Sequence, residues 1–135
     1  MKAWLLVWLV VAIPLGAAQE RATVGDFTRS PTEHIINRID EPLVVRSVTG
    51  IISRRQGDLG PLPNVLFEIQ GPGVDRKIRR AKTDKHGRFK IRHVPLGTYK
   101  FKATLDGFQS MMGTVTVSKE TDKTAEIKIE MSVGV

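Results

Sequence analysis

Polar and apolar residues alternate along most of the chain after residue 42. The segment 64–70 places three large apolar side chains on one phase, and the segments 88–92, 99–105 and 124–132 repeat the pattern. A period of two is typical of a β-strand with one buried face, because successive side chains point to opposite sides of a sheet. No segment beyond residue 42 has the period of an amphipathic helix, so the pattern predicts an all-β domain.

Seven strands are predicted from this alternation and from the turns that separate them. Their ranges are 43–53, 64–70, 77–83, 88–92, 99–105, 108–117 and 124–132. Gly and Pro mark the connections, and Asp106-Gly107 is a pair expected in a two-residue hairpin loop. Seven short strands at regular spacing predict a two-sheet β-sandwich over residues 43–135.

The first 42 residues lack the strand pattern and divide into two segments. Residues 1–18 carry one Lys, an apolar run and a small-residue tail, which is the order of a cleavable signal peptide. A retained membrane anchor is the alternative, but a span needs about 20 apolar residues and this run is shorter and contains Pro14. In residues 19–42, Ser30-Pro31 followed by Glu33 has the form of a helix start and predicts a short helix.

The amino-acid composition limits the types of site that the protein can form and indicates its cellular localisation. The 135 residues include no Cys, which excludes disulfides and thiolate metal sites. Lys and Arg number 21 against 14 Asp and Glu, a net charge of +7 that favours anionic partners. An exported domain without disulfides suits a bacterial periplasm, cell surface or medium, so periplasmic, cell-surface or secreted localisation is expected, with no transmembrane span in the mature chain.

Basic residues are concentrated around the third and fourth predicted strands. The candidate anion contacts are Lys77, Arg79, Arg80, Lys82, Arg88 and Lys90. The first four lie on a strand predicted to be a sheet edge, where basic residues also discourage edge-to-edge pairing, so a solvated surface is the alternative. Nucleic-acid binders usually add exposed aromatic residues for stacking, but Phe89, Tyr99 and Phe101 occupy the core phase, which argues against nucleic acid.

Glu68 is expected on the outer face of a central strand. Its predicted cross-strand partners are Lys77 or Arg79 on one side and Lys100 or Lys102 on the other. Such cross-strand ion pairs would neutralise part of the positive charge that otherwise suggests an anion-binding site.

Motifs for catalysis and metal binding are missing from the sequence. The three histidines, His34, His86 and His93, have no Cys partner, and no Gly-x-Ser-x-Gly elbow or calcium-loop pattern occurs. A catalytic site would need these histidines and a carboxylate to converge from distant segments. The sequence therefore predicts no enzyme activity, no metal and no cofactor.

One segment resembles a known family signature: residues 83–108 read TDKHGRFKIRHVPLGTYKFKATLDGF. This pattern resembles carboxypeptidase regulatory-like domains, which are transthyretin-like (prealbumin-like) sandwiches, over about residues 44–132. The matching positions are Thr83, Asp84, Gly87, Phe89, Pro95, Gly97, Tyr99, Gly107 and Phe108. The resemblance implies a carbohydrate-binding-like fold with Phe89 and Tyr99 on strands of opposite sheets. Some members of the wider fold are hydrolases of 5-hydroxyisourate, and those chains end in Tyr-Arg-Gly-Ser. This chain ends in Met-Ser-Val-Gly-Val, so the resemblance does not imply that activity.

Two non-enzymatic functions are compatible with the sequence, beside a hydrolase that would need the three histidines and a carboxylate to converge in one pocket. The resemblance implies a non-enzymatic binding or structural module of the cell envelope that acts through an envelope protein or a glycan. The alternative is a basic adaptor that docks on acidic glycan, phospholipid or nucleic acid by electrostatics. A steep salt dependence of binding would favour the adaptor.

Overall fold

The part of the chain described by the computed structural model comprises residues 27–55, 60–71 and 76–134. In these residues the chain forms nine β-strands and no helix, so no helix that could cross a membrane occurs among them. The predicted signal peptide, residues 1–18, lies outside the described residues. The predicted all-β, two-sheet sandwich is confirmed.

The strands form a larger and a smaller sheet. They are β1 Ile36–Arg38, β2 Leu43–Val45, β3 Val48–Arg54, β4 Leu66–Gln70, β5 Ile78–Lys82, β6 Arg88–Ile91, β7 Gly97–Thr104, β8 Ser110–Val117 and β9 Ile127–Met131. The larger sheet has the order β1-β8-β7-β4-β5, and β2 also pairs with β8. The smaller sheet has the order β6-β3-β9. This arrangement makes β5 an edge of the larger sheet, as predicted.

The aromatic core joins the two sheets. Phe67 on β4 stacks on Phe89 of β6, with ring centroids 4.2 Å apart, and on Phe101 of β7, at 5.4 Å. Because β6 belongs to the smaller sheet and β4 and β7 to the larger, this stack spans the interior. The expected placement of Phe89 and Tyr99 in opposite sheets is confirmed.

The predicted strand 43–53 is two strands in different sheets. Val45 ends β2 in the larger sheet, and Val48 begins β3 in the smaller sheet. Both valines are buried, although residues three apart on one strand would face opposite sides. The alternation therefore breaks at Arg46-Ser47, where the chain crosses from one sheet to the other.

The short helix predicted within residues 19–42 is wrong where the structure describes that segment. Residues 27–38, called the strap here, run over the outer face of the larger sheet and end in β1, which pairs in parallel with β8. Ser30 Oγ donates a hydrogen bond to Asp106 Oδ1 at 2.7 Å, and Glu33 pairs with Lys102. These long-range bonds replace a helix too short to be stable alone.

Asp106-Gly107 forms the predicted tight turn, but β7 ends at Thr104 and β8 begins at Ser110, so the connection between the two strands is longer than a two-residue hairpin loop. Phe108 leaves the sheet after β7 and forms a bridge to Val133 near the end of the chain. Its ring is buried, and its amide donates to the Leu105 carbonyl at 3.0 Å. The loop lengthens because burial of this ring outweighs continuation of the β7–β8 ladder.

Two polar side chains of the signature segment hold loops in place. Thr83 Oγ1 donates to the Leu62 carbonyl at 2.6 Å and accepts from the Val65 amide at 2.8 Å. Tyr99 is buried, and its hydroxyl donates to the Pro95 carbonyl at 2.6 Å. Both contacts satisfy buried polar groups, so these signature residues have a structural role.

The turn between β5 and β6 is closed by Asp84. Its Oδ1 accepts hydrogen bonds from the Arg88 and His86 amides, at 3.0 and 2.8 Å. These two bonds lower the pKa of Asp84 below its ordinary value. Gly87 has a φ of +72°, and a Cβ there would lie 2.8 Å from that of Pro61, so the position requires glycine.

Candidate anion-binding site

The six predicted anion contacts do not form one patch. Arg88 and Lys90 face outward from β6, an edge of the smaller sheet, whereas Arg80 and Lys82 face outward from β5 in the larger sheet. Arg79 stands opposite Ile69 in the inward phase of the same edge strand. Lys77 precedes β5 and is exposed.

The register around Glu68 differs from the predicted one. Glu68 stands opposite Arg80 on β5 and opposite Lys102 on β7, so Arg80 takes the place predicted for Lys77 or Arg79. Arg80 Nε lies 2.7 Å from Glu68 Oε2. Glu68 is also fully buried rather than solvated, because the strap covers it.

A basic cleft of about 420 Å³ opens at the end of the sandwich where the chain crosses twice between the sheets. Its lining residues are Arg46, Ser47, Val48, Lys90, Ile91, Arg92, His93 and Val94. Residues 46–47 form the crossing between β2 and β3, and residues 92–94 begin the crossing between β6 and β7. His93 has a φ of +58°, in the left-handed region, where it turns the chain out of β6.

The electrostatics of the basic cleft favour a negatively charged ligand. Arg46, Lys90 and Arg92 line it, and none of the lining residues that the structure describes carries a carboxylate. Within the described ranges, these three cations form no ion pair with another residue. Their charges are therefore available to an external anion.

The basic cleft also has an apolar component. Val48 and Ile91 are buried core residues whose surfaces reach the cleft, and Val94 adds a half-buried side chain. Its volume lies within the range of about 300–1,000 Å³ that is typical of small-molecule sites. The combination of cations, the Ser47 hydroxyl and an apolar surface can hold a ligand that is both anionic and partly apolar.

A second charged cluster lies beneath the strap. Lys102 Nζ contacts Glu33 Oε1 at 2.7 Å and donates to the Thr28 carbonyl at 2.9 Å. Glu68 accepts from the Thr28 amide at 2.8 Å and from its hydroxyl at 3.1 Å. The Glu33 and Lys102 side chains are only 3% and 4% exposed, so this cluster holds the strap and is closed to a soluble ligand.

The pKa of Glu33 depends on this cluster. Burial, the largest single influence, would raise the pKa, but hydrogen bonds from Lys102 and Ser110 and the charge of Lys102 outweigh it. The pKa of Glu33 is therefore lowered from its ordinary value of 4.5. The ionised carboxylate is the form that binds the strap to the sheet.

Acid is expected to weaken the protein through Glu33. A group whose pKa is lower in the folded state contributes stability above its unfolded pKa, and this contribution is lost as the pH falls through the folded pKa. Urea unfolding followed from about pH 6 to about pH 3 should show a fall in the free energy of unfolding that begins near the ordinary pKa of 4.5. In Glu33→Gln, the free energy of unfolding should fall less over this pH range, because the residue no longer ionises. A pH dependence equal to that of the wild type would contradict the role given to Glu33.

The three histidines lie on different elements. His34 is in the strap, His86 is in the turn after β5, and His93 lines the basic cleft. Across residues 27–55, 60–71 and 76–134, no group of three His, Asp or Glu side chains could hold a metal ion.

Sequence reasoning missed three residues of the basic cleft: Arg46, Arg92 and His93. Of the predicted anion contacts, Lys90 alone lines it. The available signal was the break in alternation at residues 46–47, together with the basic residues before Pro95. Both crossings carry positive charge, but their proximity depends on the sheet topology, which the pattern does not specify.

The described residues form a two-sheet β-sandwich with a basic cleft at one end. The model of the carboxypeptidase regulatory-like domain family matches residues 47–131, and the chain belongs to this family. This match confirms the resemblance seen in residues 83–108. No curated protein sequence matches the chain significantly.

Several solved structures have a similar fold at low sequence identity. Chlorocatechol 1,2-dioxygenase from Pseudomonas putida is 9% identical, with a TM-score of 0.45 over 87% of this chain and 76% of that one. The 3-chlorocatechol 1,2-dioxygenase of Rhodococcus opacus 1CP is 10% identical, with a TM-score of 0.40 over 87% and 77% of the two chains. BcpA, the major pilin subunit of Bacillus cereus, is 16% identical, with a TM-score of 0.39 over 65% of this chain and 30% of the pilin.

The prediction that the protein is not an enzyme is wrong as stated. The finding against it is that two of the similar structures are dioxygenases. At 9% and 10% identity the likeness shows the fold alone. It assigns no reaction to this chain, because one fold supports many functions.

Proposed function

We propose that the protein is an exported binding module of the cell envelope that holds an acidic polysaccharide in the basic cleft. The observation that carries the proposal is the set of three cations, Arg46, Lys90 and Arg92, which line one cleft without a carboxylate. The net charge of +7 draws polyanions toward the whole molecule. The predicted signal peptide supports an envelope setting.

The apolar surface of the basic cleft favours a sugar among the possible anions. Val94, which is half-buried beside the buried Val48 and Ile91, offers a small apolar surface against which the C–H face of a sugar ring can pack, while the guanidinium groups bind its carboxylate or sulfate. A bare inorganic anion would leave this surface unused. Among the described residues that line the cleft there is no Phe, Tyr or Trp on which a nucleic-acid base could stack.

A pair of matched variants tests the proposal. Arg46→Gln/Arg92→Gln removes two cations of the basic cleft, and Arg79→Gln/Lys82→Gln removes the same charge from the β5 edge. Binding of polygalacturonate, measured by calorimetry in about 50 mM salt, should weaken by at least about tenfold in the first variant, because tenfold corresponds to only about 1.4 kcal/mol. The second variant should bind within about twofold of the wild type.

Other outcomes assign the binding differently. Equal losses in both variants would mean that net charge alone holds the polymer and would contradict the cleft. Binding that persists in about 500 mM salt and in both variants would point to recognition of neutral groups. No binding to any acidic or neutral glycan would reject the proposal in favour of a protein partner.

A further inference from the structure

The outer face of the larger sheet is a built site for an extended peptide, and the strap occupies it. Glu68 Oε1 accepts from the Thr28 amide at 2.8 Å, and Lys102 Nζ donates to the Thr28 carbonyl at 2.9 Å. Both side chains are more than nine-tenths buried. Two buried charges thus bind the backbone N–H and C=O of a single strap residue, which is a strong form of hydrogen bonding.

Further contacts fix the rest of the strap. Ser30 Oγ donates to Asp106 Oδ1 at 2.7 Å, and Thr32 Oγ1 accepts from the Gly107 amide at 2.8 Å. Glu33 accepts a short hydrogen bond from the Ser110 hydroxyl in addition to its bond with Lys102. The strap then continues into β1, which pairs with residues 110–112 of β8. These partners are distant in sequence, so the contacts do not require that strap and sheet belong to one chain.

The strap is held mainly by polar bonds. Thr28, Arg29, Pro31 and Thr32 are exposed, and Phe27 is the one large apolar residue of residues 27–33 that is buried. A segment with so little apolar burial opens more readily than the core. Opening leaves Glu68 and Lys102 without their bonds to Thr28, so the uncovered face favours rebinding of a segment with the same groups.

The connection after the strap can serve as a hinge. Residues 40–42, Asp-Glu-Pro, are exposed and lie between β1 and β2, which pair with different parts of β8. A proline in a short exposed linker holds it extended and does not continue either strand. Exchange of an identical element between protomers needs only such a linker, because every contact of the element is recreated in the partner.

We propose that the strap exchanges between two copies of the chain, so that the strap of each copy occupies the outer face of the other's larger sheet. The second copy is the favoured occupant because its residues 27–38 carry every group that the face already binds. This inference uses none of the residues of the basic cleft, so it is independent of the proposed function.

Disulfide trapping between two full-length variants tests the exchange. The chain contains no Cys, so Ser30→Cys and Asp106→Cys each introduce a single thiol. The two side chains are in hydrogen-bond contact when the strap is bound, and the double variant S30C/D106C measures whether the two thiols close a disulfide there. An equimolar mixture, oxidised after overnight incubation at high protein concentration, should give covalent heterodimers that non-reducing electrophoresis and mass spectrometry identify.

Two controls separate exchange from collision. Lys119 is exposed in a turn, and none of the ion pairs found among the described residues joins it to the strap, so a mixture of Lys119→Cys with Asp106→Cys measures random dimer formation. Exchange predicts at least tenfold more heterodimer from the Ser30 and Asp106 pair than from this control, and it predicts loss of that excess when Lys102→Met is added to the Asp106→Cys chain. The double variant S30C/D106C should close an internal disulfide. A mixture that yields no excess, while the double variant closes its disulfide, would show that the strap stays on its own chain and would overturn the proposal.

Discussion

Replacing Lys102 by Met is expected to lower the free energy of unfolding by about 3 kcal/mol. The change leaves the Glu33 carboxylate buried without its partner, and breaking a buried ion pair on one side typically costs about 3–5 kcal/mol. We place the loss at the lower end because the strap can lift and hydrate Glu33. Urea unfolding measures the change, and hydrogen exchange should show the strap amides losing protection first.

Lys100→Met is the matched control for this prediction. Lys100 lies two residues away on the same strand and the same face, but it is exposed and forms no ion pair in the described parts of the chain. Its replacement should change the free energy of unfolding by no more than about 0.5 kcal/mol. Equal effects of the two substitutions would show that the buried contacts of Lys102 with the strap contribute no more to stability than the exposed charge of Lys100.

Replacing Phe67 by Ala is expected to cost about 3–5 kcal/mol, the range seen for large aromatic residues in protein cores. Phe67 is fully buried and stacks on Phe89 and Phe101. The substitution removes the ring that links the two sheets and leaves a cavity that the β-ladders on either side cannot close. Thermal and urea unfolding should both report the loss, with a slope on denaturant close to that of the wild type.

Leu96→Ala provides the comparison for the core substitution. Leu96 is a large apolar residue that is 55% exposed in the connection between β6 and β7. Its truncation should change the stability by no more than about 0.5 kcal/mol. If Phe67→Ala were equally mild, the interior of the sandwich would be loosely packed and the aromatic stack would not hold the sheets together.

The period of two predicted most of the sandwich because local alternation and burial agree. Ile127, Ile129 and Met131 alternate with Lys128 and Glu130, and the burial of β9 follows the same alternation. The turn at Asp84 was also predictable, because its side chain binds amides only two and four residues away. Strands and turns whose conformation depends on residues close in sequence can therefore be predicted from the sequence alone.

The strap could not be predicted in this way. Ser30 and Glu33 form a local helix-start pattern, and the Glu33 amide donates to the Ser30 carbonyl in a single turn, but their side chains also bond to Asp106, Lys102 and Ser110, about 70 residues further along. A helix of one or two turns is marginal in water, so a few tertiary bonds decide the outcome. Glu68 shows the same limit, since its complete burial depends on a segment 40 residues away.

The basic cleft was missed for a topological reason. Arg46 and Arg92 lie in two separate crossings between the sheets, and antiparallel pairing of β3 with β6 brings these crossings together. Alternation shows which residues face outward, but it does not show which strand ends are neighbours. The candidate set therefore favoured the β5 edge, where basic residues are consecutive in sequence.

The central claim is that the basic cleft binds an acidic polysaccharide, and amide chemical-shift mapping tests it most directly. A galacturonate oligosaccharide titrated into isotope-labelled protein at low salt should shift the amides of residues 46–48 and 90–94 first, with saturation. High salt should reverse these shifts. Shifts confined to β5, or weak shifts spread over the surface without saturation, would contradict a defined site at the cleft.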